Sequence, residues 1–314
     1  MLSAAAQQYD LDVSEWKNPV VTEHGTTNTV YIFRNYVLRH STNKSLEALK
    51  IEVDILQRLA AQQFPHVPRI KVTKKGQPYF EYINSLNVLF YKEAGNHAQD
   101  TANVTQLMQF AASLHTTLQS HWSAEMVNHA VAVQSKRESF EPSQIREAAK
   151  KWAGDERYGD IILRLLTASS ATAHLPPSLP HGIIHMDWNS TNILWHEDGS
   201  LSCVLDFEFA TWGPLVFDVA FLVLEFCSEA DDLRNHRRDK TTEQQTVSCN
   251  ATKGSSSESA LVNAYSKVRS MTVQELALLR PSIALLGLRS IPWLLENNFH
   301  DYLRAFTAKL EKFL

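Results

Sequence analysis

The chain is short of cysteine, of surplus positive charge and of long hydrophobic runs. Cys203, Cys227 and Cys249 are its only cysteines, odd in number, widely spaced and without a Cys-x-x-Cys pair. Such spacing suits neither a disulfide framework nor a zinc knuckle, so reduced thiols are expected. A formal net charge of -4 argues against a general nucleic-acid-binding surface, which would be basic. It still allows a local basic pocket for a phosphorylated ligand. The most apolar stretch, Pro214 to Phe226, is too short to span a bilayer and contains Asp218 and Glu225. The opening Met1-Leu2-Ser3-Ala4-Ala5-Ala6-Gln7-Gln8 lacks the basic flank and apolar core of a secretory signal. No membrane partner and a cytoplasmic location are the expectation. Internal repeats and coiled-coil heptads are also missing.

What is present is an ordinary globular composition, 44% hydrophobic and 20% charged over 314 residues. That length exceeds the usual size of one hydrophobic core, so two lobes are expected. Val30 to Phe33 and Tyr36 to Arg39 are short β-prone runs around Arg34-Asn35, which reads as a tight hairpin. Ser45 opens a helical pattern with Leu46, Leu49, Val53, Leu56 and Leu59 on one face. Phe64-Pro65-His66-Val67-Pro68 ends it. Arg69 to Thr73 and Gln77 to Ile83 read as two more strands, turned by Lys75-Gly76. This order predicts a small antiparallel sheet carrying one helix, occupying residues 1–83.

Residues 84–314 read as a larger, mainly helical lobe. Val104 to Leu118 is amphipathic, with Leu107, Phe110, Ala111, Leu114 and Leu118 facing a core. Pro142 to Trp152 and Asp160 to Thr167 are weaker helical segments. Ile183-Ile184 and Ile193-Leu194-Trp195 read as strands flanking a polar loop. Glu197-Asp198-Gly199-Ser200 is a hairpin turn ahead of a strand from Leu201 to Phe207. Helices resume from Phe217. Residues 228–258 turn polar and read as a mobile insert or long loop, not a domain.

Two stretches carry chemistry: His185-Met186-Asp187-Trp188-Asn189-Ser190-Thr191-Asn192, then Val204-Leu205-Asp206-Phe207-Glu208. A loop between strands presents Asp187 and Asn192, and the hairpin returns the chain so that Asp206 can sit beside them. Two carboxylates and an amide oxygen then converge. Hard oxygen ligands of this kind suit Mg²⁺, which takes a few carboxylates with phosphate oxygens and water. Phosphoryl transfer needs one residue to orient or deprotonate the attacking hydroxyl and others to hold metal on the phosphates. In protein kinases these are a catalytic-loop Asp, an Asn five residues later and an Asp that follows. Asp187, Asn192 and Asp206 repeat that order. A turn in which Asp187 and Asn192 merely bond their own backbone leaves Asp206 unexplained.

The chain resembles the aminoglycoside phosphotransferase and choline kinase superfamily, and within it the homoserine-kinase-type branch. The resemblance is carried by His185-x-Asp187-x-x-x-x-Asn192, Leu205-Asp206-Phe207-Glu208, Gly213-Pro214 and Asp218-Val219-Ala220. It implies an α+β bilobal protein-kinase-like fold, Asp187 as catalytic base, Asn192 and Asp206 as magnesium ligands, and Asp218 as a structural acid bracing the catalytic loop. Gly25-Thr26-Thr27-Asn28-Thr29-Val30-Tyr31 resembles the family's nucleotide loop. ATP would then lie with its phosphates under Thr26, Thr27, Asn28 and Thr29, with Arg39 contacting them and pairing with Glu52. Two departures stand out. The loop reads His-Met-Asp-Trp-Asn where many relatives have His-Gly-Asp. Arg39 stands where kinases usually carry Lys, and the two are not equivalent donors.

Other residues have more than one reading. His185 ligates metal, acts as a catalytic base, or steadies the loop as a packed histidine. Glu208 either assists a second metal or substrate, or is a solvated acid. Glu81-Tyr82-Ile83 either links the lobes, its backbone bonding adenine, or simply ends a strand. Trp188, Trp212 and Trp293 offer faces for a cationic ligand or serve as core. The expected acceptor is a small hydroxyl compound: an amino alcohol, a hydroxy-amino acid, an aminoglycoside or a sugar. A protein acceptor fits poorly, because Gly213-Pro214 follows Asp206 closely, with no long activation segment or Ala-Pro-Glu signal. A nucleotide-binding pseudokinase acting as a regulator and a metal-dependent hydrolase built on His185-x-Asp187 are the competing classes.

Overall fold

The computed structural model describes residues 2–11, 13–22, 28–97, 102–119, 142–227 and 257–314. Its N-terminal region is one antiparallel sheet in the order β1-β2-β3-β5-β4. The strands are β1 Val20–Thr22, β2 Asn28–Ile32, β3 Tyr36–Ser41, β4 Phe80–Tyr82 and β5 Ser85–Tyr91. Helix α1, Leu2–Gln8, precedes them, and α2, Leu46–Ala61, runs between β3 and β4. Ser45 caps α2 by accepting the Ala48 amide at 3.2 Å. Leu49 and Val53 of α2 pack on Leu86 and Val88 of β5. On the opposite face Ala5 and Tyr9 cover Leu38, Phe80 and Leu89. Each large apolar side chain among them contributes about 1.5–3 kcal/mol by leaving water.

The helical character expected from about residue 85 does not begin there. Residues 85–91 form β5, the strand between β3 and β4. Both its faces are covered, so Leu86, Asn87, Val88 and Leu89 are all buried. Such a run lacks the alternation that marks a half-buried strand. Its hairpin to β4 turns on Ile83 and Asn84, both at positive φ (41° and 59°). A turn of this kind is usually announced by Asn-Gly. A boundary after residue 83 would therefore split a hydrogen-bonded strand pair. Arg69 to Thr73 is not a full strand; it touches β5 through an Ile70–Phe90 bridge.

The rest of the described chain contains α3 (Val104–Gln119), α4 (Pro142–Lys150), α5 (Gly159–Ala168), α6 (Leu215–Phe226), α7 (Glu258–Ser266), α8 (Val273–Glu296) and α9 (His300–Leu310). Two small ribbons lie among them. β6 (His181–Ile184) pairs with β9 (Thr211–Pro214), and β7 (Ile193–Trp195) with β8 (Leu201–Val204). The expected turn joins β7 to β8, with Gly199 at φ 83°. Gly213 packs closely, since a Cβ there would stand 2.5 Å from Ile184 Cδ1 and that side chain would have to shift. α8 begins with a capping box between Thr272 and Glu275. Among the described residues it is the one helix long and apolar enough to cross a membrane, and 67% of its apolar window is buried inside the fold. Of the expected 228–258 insert, residues 228–256 lie outside the described residues. Ser257 and Glu258 belong to α7, where Ser257 is the N-cap.

Candidate active site

The loop after β6 is built on strained backbone. Met186 sits at φ 60°, a conformation costly for a residue with a Cβ. Asp218, fully buried at the start of α6, holds it there. Its Oδ2 accepts the His185 amide at 2.7 Å and its Oδ1 the Met186 amide at 2.9 Å. The same carboxylate meets His115 Nε2 of α3 at 3.0 Å, and His115 Nδ1 lies 2.7 Å from the Tyr265 hydroxyl of α7. Arg269 donates to that hydroxyl at 3.1 Å and to Glu275 of α8 at 2.9 Å. A buried polar chain thus ties the loop to four helices, α6, α3, α7 and α8.

His185 is fully buried beneath this loop. Its Nδ1 accepts the Asp187 amide at 3.2 Å, so Nε2 carries the proton donated to the Leu205 carbonyl at 2.9 Å. Burial lowers its pKa and keeps the ring neutral. Both nitrogens are committed to backbone. His181 turns instead to the Leu179 carbonyl.

Asp187, Asn192 and Asp206 converge. Asp187 Oδ1 accepts from Asn189 Nδ2 at 2.8 Å and Oδ2 from Asn192 Nδ2 at 2.7 Å. Burial, with the charge of Asp206 beside it, pushes the Asp187 carboxyl up to about 6, against the pull of the two amides and Arg289. Asp206 follows β8 at φ 55°, an αL conformation that Asp tolerates, and its carboxylate accepts the Glu208 amide at 3.3 Å. Burial raises its pKa too, with Glu52 and Glu208 adding to the rise and Arg39 and Lys44 opposing it. Its side chain keeps 33% exposure.

The sheet contributes the opposite wall. Arg39 of β3 and Glu52 of α2 form a bidentate pair, Nη1–Oε1 at 2.8 Å and Nη2–Oε2 at 2.6 Å, with Nη1 also 3.5 Å from Asp206 Oδ1. Burial alone would raise Glu52, but Arg39 and Lys44 outweigh it and hold the carboxyl at about 2. Asn28, at the start of β2, donates to Glu208 Oε2 at 2.9 Å and accepts from Ser41. Thr29 follows it in β2, paired with His40. Thr26 and Thr27 lie outside the described residues.

Several expected residues stand elsewhere. Glu81 and Ile83 sit at the β4–β5 hairpin, where Ile83 is 77% exposed. They cannot link the sheet to the helices, because β5 intervenes and the chain crosses after Tyr91. Trp188 is fully buried between Phe110 and His185, so its ring offers no face to a ligand. Trp212 is half-buried on β9, and Trp293 is an exposed residue of α8 stacked on Phe299.

Two further residues reach the site without a motif to announce them. Lys44, between β3 and α2, places Nζ 2.5 Å from Glu52 Oε2 and 3.7 Å from Glu208 Oε2 with its side chain only 1% exposed. Arg289 of α8 lies over the Phe209 ring at 5.9 Å and acts on the charge of Asp187. Charge balance is the one signal for Lys44, since three acids gather around one arginine. Arg289 carries no signal, because helix pattern does not tell which surface a side chain meets.

The donor set fits magnesium. Asn192 spends its Nδ2 on Asp187 and so keeps Oδ1 for a cation, and Asp206 adds a carboxylate. One carboxylate and one amide suffice only where phosphate oxygens and water complete the shell, which is how Mg²⁺ is usually bound.

A sheet-rich region packed with a helical one, and an Asp–Asn–Asp site facing an Arg–Glu pair, define the kinase-like class of phosphotransferases. The model of the phosphotransferase enzyme family known as APH matches residues 21–246, and the chain belongs to that family. Among curated relatives, the homoserine kinase of Afipia carboxidovorans is 37% identical over 107 residues, 34% of this chain and 27% of the relative. That of Sinorhizobium medicae is 31% identical over 130 residues, 40% of this chain and 34% of the relative. The matched stretches thus span about a third or less of those relatives. Among solved structures, an amicoumacin kinase in complex with AMP-PNP and Ca²⁺ superposes with a TM-score of 0.68 at 15% identity, covering 99% of this chain and 92% of the other. A spectinomycin phosphotransferase in complex with ADP and spectinomycin gives 0.69 at 12% identity, with the same coverage. A microcompartment-associated aminopropanol kinase gives 0.61 at 15%, covering 98% and 94%.

Proposed function

We propose that the protein transfers the γ-phosphate of ATP to a hydroxyl of a small molecule. The observation that carries this reading is the meeting of Asp187, Asn192 and Asp206 opposite the buried Arg39–Glu52 pair. Asp187 orients the acceptor hydroxyl and takes its proton as the new bond forms. A carboxyl raised to about 6 is ionised at neutral pH, yet more basic than an ordinary aspartate. Asn192 and Asp206 would hold Mg²⁺, which when bound supplies charge neutralisation to the phosphates. Asn28 and Thr29 begin the strand that borders the phosphates. The backbone of residues 92–95, which crosses from sheet to helices, takes the adenine-side role expected of Glu81 and Ile83.

For the acceptor we favour a hydroxy-amino acid over an amino alcohol, an aminoglycoside or a sugar. The positive charge of Arg289 acts on Asp187, and an acceptor whose carboxylate answers Arg289 would present its hydroxyl on the Asp187 side. The curated relatives' name, homoserine kinase, agrees with this choice. Homoserine and its decarboxylated analogue 3-aminopropanol form the test pair. The reading expects homoserine to be phosphorylated at least tenfold more efficiently, and Arg289→Ala to erase that preference while the KM for ATP stays put. Equal turnover of both compounds would remove the carboxylate from the account.

A further inference from the structure

Five charged side chains share one cluster, buried except at Asp206: Arg39, Lys44, Glu52, Asp206 and Glu208. Two cations against three carboxylates leave it one negative charge in excess. The two cations are not held alike. Arg39 spends both terminal nitrogens on Glu52 in parallel bonds of 2.8 and 2.6 Å, and its guanidinium lies over the Phe90 ring at 5.4 Å. A guanidinium fixed on its edge and its face does not swing toward a ligand. Its bidentate grip also satisfies Glu52 without help.

Lys44 is therefore surplus to Glu52. Its ammonium has three donors, and among the described residues its one hydrogen bond runs to Glu52 Oε2, with Glu208 Oε2 at 3.7 Å. It is buried just ahead of the N-cap of α2, where the helix dipole disfavours a cation. Burial likewise penalises the charged form. A lysine kept in so unfavourable a place, on a flexible stem, next to the acids that face the proposed metal, is suited to an anion that arrives later. With a divalent cation at Asp206 the cluster would carry one net positive charge, and Lys44 is the cation in it not held by a bidentate pair.

We infer that Lys44 is the cation that donates to phosphate oxygens shared by ATP and ADP, while Arg39 serves to hold Glu52 and the α2 helix in place. The two tasks that one strand lysine performs in protein kinases are divided here between two residues. This inference rests on the nucleotide reading above.

The test is calorimetric titration of the full-length protein with Mg²⁺-ATP, Mg²⁺-ADP and adenosine, in wild type and Lys44→Met. The expected result is at least a tenfold loss of affinity for ATP and ADP in the variant, with adenosine affinity unchanged. Unchanged adenosine binding also shows that the variant folds. Lys44→Gln, which keeps a polar head among the acids, replaces it if Lys44→Met does not fold. ATP affinity within twofold of wild type would overturn the assignment. So would an equal loss for ATP and adenosine, which marks Lys44 as a structural counter-ion. A wild type that binds none of the three ligands would instead overturn the nucleotide reading itself, and this inference with it.

Discussion

Asp218 Oδ2 takes two hydrogen bonds at once, from the His185 amide at 2.7 Å and from His115 Nε2 at 3.0 Å. One buried carboxylate thus joins the strained loop carrying Asp187 to a helix far away in sequence. Asp218→Asn replaces one acceptor oxygen by a donor that faces another donor. The expected cost is about 2–4 kcal/mol in chemical denaturation, together with a fall in kcat as Met186 leaves φ 60°. Tyr265→Phe, which removes only the hydroxyl beyond His115, should cost about 1 kcal/mol.

Glu52 is 2% exposed and serves both Arg39 and Lys44. Neutralising it leaves two buried cations without their shared partner. Glu52→Gln should destabilise the protein by about 3–5 kcal/mol, read from urea midpoints. The linkage has a definite sign. A carboxyl held at about 2 contributes stability above the ordinary carboxylate range and loses it as pH falls through about 2. The variant's stability should therefore fall less than the wild type's as pH drops from the ordinary carboxylate range to about 2.

Gly95 lies where the chain crosses from the sheet to the helices, at φ 118°, and a Cβ there would stand 2.7 Å from the Trp195 carbonyl oxygen. Gly76 also has positive φ, 75°, but nothing lies within 4 Å of its would-be Cβ. Gly76→Ala should cost about 1 kcal/mol from backbone strain alone. Gly95→Ala should cost at least about 2 kcal/mol, since the clash adds to the strain. Thermal melts of the two variants separate the contributions.

In the metal-free protein the Asp187 carboxyl should titrate near 6, readable by carbon NMR of the labelled side chain. Asp206→Asn removes the neighbouring charge and should lower that value. Because the folded state raises this pKa, Asp187 favours the fold at acid pH, and the advantage fades as pH climbs through 6. The full difference from 3.8 to about 6 amounts to at most about 3 kcal/mol.

The legible features of the sequence are those governed by local rules. Ser45 followed by Leu46, Leu49, Val53, Leu56 and Leu59 marks α2, and Asp198-Gly199 marks its hairpin, because caps, turns and helical spacing act over a few residues. The spacing of Asp187, Asn192 and Asp206 is readable for the same reason, since one loop and one hairpin bring them together. β5 is hidden because burial on both faces erases alternation, and Ile83-Asn84 turns without a glycine. Lys44 and Arg289 are invisible for a different reason. Their roles depend on which acids the tertiary fold sets beside them, and Glu208 lies far from Lys44 along the chain.

The most direct test of the central claim is ATP consumption with Mg²⁺ against a panel of hydroxy-amino acids, amino alcohols, aminoglycosides and sugars, with Asp187→Ala run in parallel. Turnover is expected on at least one acceptor, with a loss of roughly a thousandfold or more in the variant, in line with removal of a general base and orienting group. Wild-type turnover that Asp187→Ala leaves intact, or no ATP binding by the wild type, would contradict the claim.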